Sequence, residues 1–349
     1  MRTIRSMVAF SLVAFTAGCQ RETVAEPLAL NVGLNAVAMP CSFTNSGTSM
    51  TLNGDCTTSA SILVPNGFTL DGNGYTITGV DPVGDHFRGA VVRNGGAVAH
   101  IRNLSVTVSG LADVCDAGGD RLRGIMLDAA SGSIIGNTVN NVRQVGSGCQ
   151  EGNSIDVRNF SQPTTFTVEV ANNTVTNWMK TGIVANGRVS VNMRNNTIGA
   201  SANQAVLAAN SIQIGFGAQG VVKANRVSGN QWCTAGTFAT GILVFGADPN
   251  SPTSDPLTLD LTITQNVFTG NADVGIYTFG NGILVNNNKV FDDGNIADCN
   301  LSLDDYGIYN DINEAKTSGA NTFTNNKIGG FDTPFFGGTI GSNKINPNK

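Results

Sequence analysis

The sequence predicts an all-β fold, a right-handed parallel solenoid of about ten coils, on three observations. A small residue followed by Ile recurs at Gly124-Ile125, Ser154-Ile155, Gly182-Ile183, Ser211-Ile212, Gly241-Ile242, Gly275-Ile276 and Gly307-Ile308. These isoleucines lie 30, 28, 29, 30, 34 and 32 residues apart. A second signal, Asn-any-apolar, starts at Asn137, Asn173, Asn196, Asn225, Asn266, Asn288 and Asn326, once per interval. The shortest steps are 10 residues from Asn to Ile and 12 from Ile to Asn, so the minimal unit is 22 and the surplus is loop at two fixed corners. A fixed period of this size marks a solenoid. The third observation decides between helix and strand. Ile212-Gln213-Ile214 and Val189-Ser190-Val191 alternate with period 2, and β-branched residues dominate. Coils of short strands then stack about 4.8 Å apart, and the usual crossover rule makes the winding right-handed. Stacking also lays Asn upon Asn, where the amides can satisfy backbone groups at the bend.

Taken in order, residues 1–19 form a targeting segment. Arg2 and Arg5 precede an apolar run from Met7 to Phe15 that is too short to span a bilayer. Thr16-Ala17-Gly18-Cys19 resembles a bacterial lipobox, which implies lipidation of Cys19. The expectation is an exported, lipid-anchored protein of the outer membrane or cell surface, touching the membrane through its lipid only. Residues 20–35 read as a tether, 36–60 as an N-terminal cap, 61–330 as the solenoid and 331–349 as a C-terminal cap. Charged residues are 13% of the chain and the net charge is −5 with no basic run, which excludes a nucleic-acid partner. The expected state is a monomer. Six cysteines remain beside Cys19, an even number suited to disulfides in an exported protein. The register suggests Cys41 with Cys56, Cys115 with Cys149 and Cys233 with Cys299.

The repeat resembles right-handed parallel β-helix proteins of the pectate-lyase-like superfamily over residues 61–345. Ile62-Leu63-Val64-Pro65-Asn66-Gly67-Phe68-Thr69-Leu70-Asp71-Gly72-Asn73-Gly74 is similar to a first coil of that family. The resemblance specifies fold more than function, since the superfamily holds lyases, hydrolases, adhesins and surface proteins. Of the polygalacturonase-like motifs only the Asp-Asp pair is present, at Asp304-Asp305.

If Ile points inward, the small residue before it points outward and a column of Gly and Ser floors a shallow groove. Met126, Asp156, Val184, Gln213, Leu243, Tyr277 and Tyr309 would follow on one side, with Lys180, Asp273 and Asp305 on the other. Such a groove suits an extended sugar chain. Tyr277, Tyr309, Trp178, Trp232, Gln213 and Asp156 are the candidate binding residues. For glycoside hydrolysis, Asp273 and Asp305 fall on adjacent coils, about one rise apart, as retaining chemistry requires. For elimination from a uronic acid, Lys180, Arg123 or Glu151 would be the base. Asp304 and Asp298 could then hold calcium. The function expected is binding, with possible cleavage by hydrolase or lyase chemistry, of a polysaccharide or cell-surface glycan. A non-catalytic structural or adhesive β-helix is the alternative.

Overall fold

The computed structural model describes residues 39–346, except 145, 147, 203–205, 235, 246–257, 259, 271–272, 294–303, 312–320 and 339–340. The targeting segment, Cys19, the tether, Asp298 and Cys299 lie outside the described residues.

Every complete coil is three strands, and each strand joins one of three parallel sheets. These have 10, 11 and 11 strands and form the faces of a right-handed prism. Among the described residues nine complete coils run from the strand Ile62–Val64 to the strand Lys327–Gly329, with partial coils at both ends. We call the 10-stranded face the Ile sheet, because it carries the isoleucine column. The face holding Thr138–Asn140 and its equivalents is the Asn sheet, and the third is the middle sheet. Among the described residues the sole helical element is a 3-10 turn at Gly118–Asp120. No helix among them is long and apolar enough to cross a membrane.

The seven isoleucines pair directly, coil to coil, and none is more than 1% exposed. They belong to one apolar core that extends from Leu52 to Phe331. The asparagines form a buried ladder at the bend between the middle and Asn sheets. It runs through Asn137, Asn173, Asn196, Asn225, Asn266, Asn288, Asn326 and Asn343. From Asn173 onward each Oδ1 accepts both the backbone N–H and the Nδ2–H of the Asn one coil earlier, as Asn196 does from Asn173 at 2.9 Å each, while Asn137 Oδ1 accepts the Leu104 N–H. Each Nδ2 also donates to a carbonyl of the preceding coil, Val170 O for Asn196. The residue before each ladder Asn makes the bend in a left-handed conformation in seven coils: Gly136, Asn172, Asn195, Ala224, Gln265, Asn287 and Asn325. Gly and Asn tolerate that region, whereas Ala does so at a cost of about 1–2 kcal/mol. Ala224→Gly is therefore expected to raise stability by about 0.5–1 kcal/mol, after the entropy lost by Gly. Urea denaturation of the pair of proteins measures it.

Among the described residues the pairing is parallel with one exception. Phe43–Ser46 turns back on Ser49–Leu52 and pairs antiparallel at the edge of the middle sheet. A short polar strand there leaves less open edge for another chain to join. At the other end, Thr333–Phe336 prolongs the Ile sheet and Lys344–Asn346 the Asn sheet. Cys41 is bonded to Cys56 and Cys115 to Cys149, the first two of the expected pairs. Cys233 is also disulfide-bonded, although its expected partner lies outside the described residues.

Candidate ligand-binding face

The outward face of the Ile sheet does not follow simple alternation, and the glycine groove is absent. A Cβ added to Gly124 would lie 2.7 Å from Val139 Cγ1, and one on Gly182 would lie 2.6 Å from Ile198 Cγ2. Gly275 and Gly307 likewise abut Val290 and Ile328 of the Asn sheet. Ser154 and Ser211 are fully buried. The small column therefore faces inward, at the corner where the Asn sheet crosses close to the Ile sheet. The strand bends there, so the small residue and the Ile both point inside. The residues flanking this pair point outward, giving the columns Arg123-Asn153-Thr181-Asn210-Thr240 and Met126-Asp156-Val184-Gln213-Leu243-Tyr277-Tyr309.

The first half of this face is closed. Met126, Asp156 and Val184 are buried. The Arg123 guanidinium is ion-paired with Asp156 and donates to the carbonyls of Gly118, Gly119 and Arg121 in the overlying loop. Glu151 anchors the same loop by accepting the Asp116 and Leu122 N–H groups at 2.9 and 2.6 Å, and burial raises its pKa. Arg123, Glu151 and Asp156 are thus scaffold rather than base or ligand contacts, because each buried charge is engaged.

The second half is open. A pocket of about 180 Å³ is lined by Lys180, Asn210, Thr240, Phe238, Leu243, Phe245 and Tyr277, with Ala208 and Thr237. Tyr277 stacks on Tyr309 with ring centroids 5.2 Å apart and planes 6° from parallel. Tyr309 in turn stacks on Phe336 at 4.8 Å. Both faces of Tyr309 are consequently covered, so it supports Tyr277 instead of receiving a ligand. Burial, Asp311 and Tyr306 push its hydroxyl up to about 12. The Tyr277 hydroxyl donates to Asp311, which fixes the ring. A second aromatic row, Phe160-Phe216-Phe245-Phe279, runs beside the first with centroid spacings of 5.8, 5.5 and 5.7 Å.

The remaining candidates lie elsewhere. Trp178 is fully buried with its indole N–H on Gly199 O, because the inward glycine at 182 leaves room for the ring. Trp232 is half-buried, and its indole N–H has no partner among the described residues. Asp273 is 3% exposed and accepts the backbone N–H groups of Trp232 and Ala239, at 3.1 and 2.8 Å. It clamps a loop, which is how a buried carboxylate is satisfied. Asp305 occupies the equivalent position one coil on and is also buried. Neither carboxylate lines the pocket, so the expected hydrolytic pair does not converge on the open face. Asp304 is exposed. Cys115, Cys149 and Glu151 bring potential metal ligands together, but the two sulfurs are bonded to each other. Gln213 is half-buried between Asn186 and Asn210. Sequence reasoning missed Phe216, Phe245 and Phe279, although each follows its coil's Ile by three or four residues.

Lys180 is the one proposed base at the pocket. Its Nζ donates to Ala208 O at 2.5 Å. Burial, and then the Arg121 charge, pull its pKa down to about 8. Between about 8 and the ordinary 10.5 the unfolded chain binds the extra proton, so stability rises with pH through that window. Lys180→Met is expected to be more stable than the wild type at neutral pH and to lack that rise. Melting temperatures measured between pH 7 and about 10 check both signs.

The chain belongs to the right-handed β-helix family, whose model, described as the right handed beta helix region, matches residues 123–345. Among solved structures it is similar to the Dettilon tailspike protein, at 14% identity and a TM-score of 0.47, covering 80% of this chain and 55% of the tailspike chain. It is also similar to DFA-IIIase from Arthrobacter chlorophenolicus A6 in complex with DFA-III, at 12% identity and a TM-score of 0.39, covering 85% and 73%. The chain thus spans about half the tailspike's length. No curated protein matches it.

Proposed function

We propose that this protein is a glycan-binding β-helix, and that it binds on the open half of the Ile sheet. The observation that carries this reading is the pocket wall at Tyr277. One face of that ring is covered by Tyr309, and its hydroxyl is tied to Asp311. The ring is therefore held rigid beside the amide of Asn210 and the hydroxyls of Thr237 and Thr240. A flat apolar surface next to neutral hydrogen-bonding groups matches a sugar ring, whose C–H face packs on an aromatic and whose hydroxyls need partners. Two-carboxylate hydrolysis is not part of the proposal, since no described lining residue is an acid. Export and lipid attachment at Cys19 belong to the same proposal, as they would present the face to extracellular glycans. So does a monomeric state. Calcium at Asp304 belongs to the same proposal, and binding measured with and without chelator checks it.

A glycan array probed with the purified protein tests the reading. Binding to one glycan class is expected, with at least tenfold loss in Tyr277→Ala and little loss in Trp178→Phe. Loss of no signal in Tyr277→Ala would move the site elsewhere. Silence across the array would return the protein to a structural or adhesive role.

A further inference from the structure

Lys180 is conspicuous in the pocket because no carboxylate among the described residues neutralises it. It is the sole charged side chain among the described lining residues. Its ammonium has three hydrogens to give, and one goes to Ala208 O. No carboxylate comes within ion-pair range of it among the described residues. The acids on the surrounding elements are committed elsewhere. Asp156 pairs with Arg123, and Glu151 holds the Asp116 and Leu122 amides. Asp273 holds the Trp232 and Ala239 amides, while Asp311 takes the Tyr277 hydroxyl. The other charge acting on Lys180 is Arg121, which repels it. A part-buried cation without a counter-ion destabilises a fold. Its position at a pocket wall therefore points to a ligand that supplies the missing charge.

We propose that the pocket is an anion subsite, in which a ligand carboxylate or sulfate pairs with Lys180 Nζ while the ligand's apolar face packs on Tyr277 and Phe245. This deepens the glycan reading and rests on it for the sugar, but the anion site stands on the lysine geometry alone. The acidic sugar is favoured in the protonated state of Lys180. That state is held below about 8 and lost above it.

The test uses three probes on the purified full chain: glucuronate, glucose and inorganic sulfate. Binding is read from amide NMR shifts at Asn210, Thr240 and Tyr277. Glucuronate is expected to bind at least tenfold more tightly than glucose, and sulfate is expected to shift the same amides. Glucuronate affinity should fall about tenfold one pH unit above the lysine pKa. Lys180→Met should abolish the sulfate response and remove the preference for glucuronate. Lys180→Arg should keep the preference and lose its pH dependence. A response to glucuronate without sulfate specifies carboxylate, and the reverse specifies sulfate. Sulfate binding with no binding of either sugar supports the anion site and counts against the glycan reading. Glucose binding as tight as glucuronate overturns the anion site and leaves the glycan reading intact. An unchanged sulfate response in Lys180→Met, or no response to any probe, also overturns it.

Discussion

Asn196→Ala is expected to destabilise the protein by about 4 kcal/mol, one of the two largest single-site effects in the molecule. The Asn196 Oδ1 accepts from the backbone N–H and the Nδ2–H of Asn173, and its Nδ2 donates to Val170 O. Its Nδ2 also donates to Asn225 Oδ1, so truncation leaves four groups without that partner, in a site from which water is excluded; Asn173 and Asn196 are each 1% exposed. Each orphaned buried group costs about 1–3 kcal/mol, and neighbouring groups can recover part of it. Asn196→Asp should be at least as damaging, because an oxygen would then face Val170 O and Asn225 Oδ1. Equilibrium denaturation in urea measures both. A loss under about 1 kcal/mol in either would mean the ladder follows the stacking rather than holding it.

Gly241→Ala carries the second large effect. An added Cβ would stand 1.7 Å from Phe268 Cε2 and 2.8 Å from Gly275 O. Phe268 is 1% exposed and one of the largest buried side chains, so it has little space into which to move. Overpacking of this kind costs typically about 1–3 kcal/mol and occasionally more. Because backbone as well as ring is struck, a value at or above the upper end is expected. Phe268→Leu in the same chain should recover part of the loss. The experiment separates the two facings of the small column. Were Gly241 on the surface, Ala would be neutral or mildly stabilising. Melting temperature of the single and double variants reads the difference.

The fold was legible in the sequence because its two strongest signals are themselves structural columns. Ile125 and its equivalents recur since each must fill the same slot in the core, and Asn137 and its equivalents recur since each completes the same ladder. Facing was not legible. Period-2 alternation holds along a strand but fails at a corner, and Gly124 sits at one, so the column read as a groove floor is interior. That misreading carried over to Trp178, whose ring occupies the interior beside Gly182. Asp273 and Asp305 were placed correctly along the coil, yet a linear pattern cannot show that Asp273 is consumed by the amides of a loop. Lys180 reached the pocket for the same register reason that suggested it. Phe238 could not be found from spacing, because it lies in an irregular loop and meets Tyr306 and Tyr309 only in three dimensions.

The central claim is that one half of one face receives the ligand. Hydrogen–deuterium exchange with and without a bound array glycan tests it most directly. The account predicts slowed exchange in Asn210–Gly215, Thr240–Phe245 and Val274–Thr278. It predicts no change in the Asn-sheet strands Arg226–Ser228 and Val267–Thr269 of two of the same coils. Protection confined to the Asn or middle sheet, or spread evenly over all three, would contradict it.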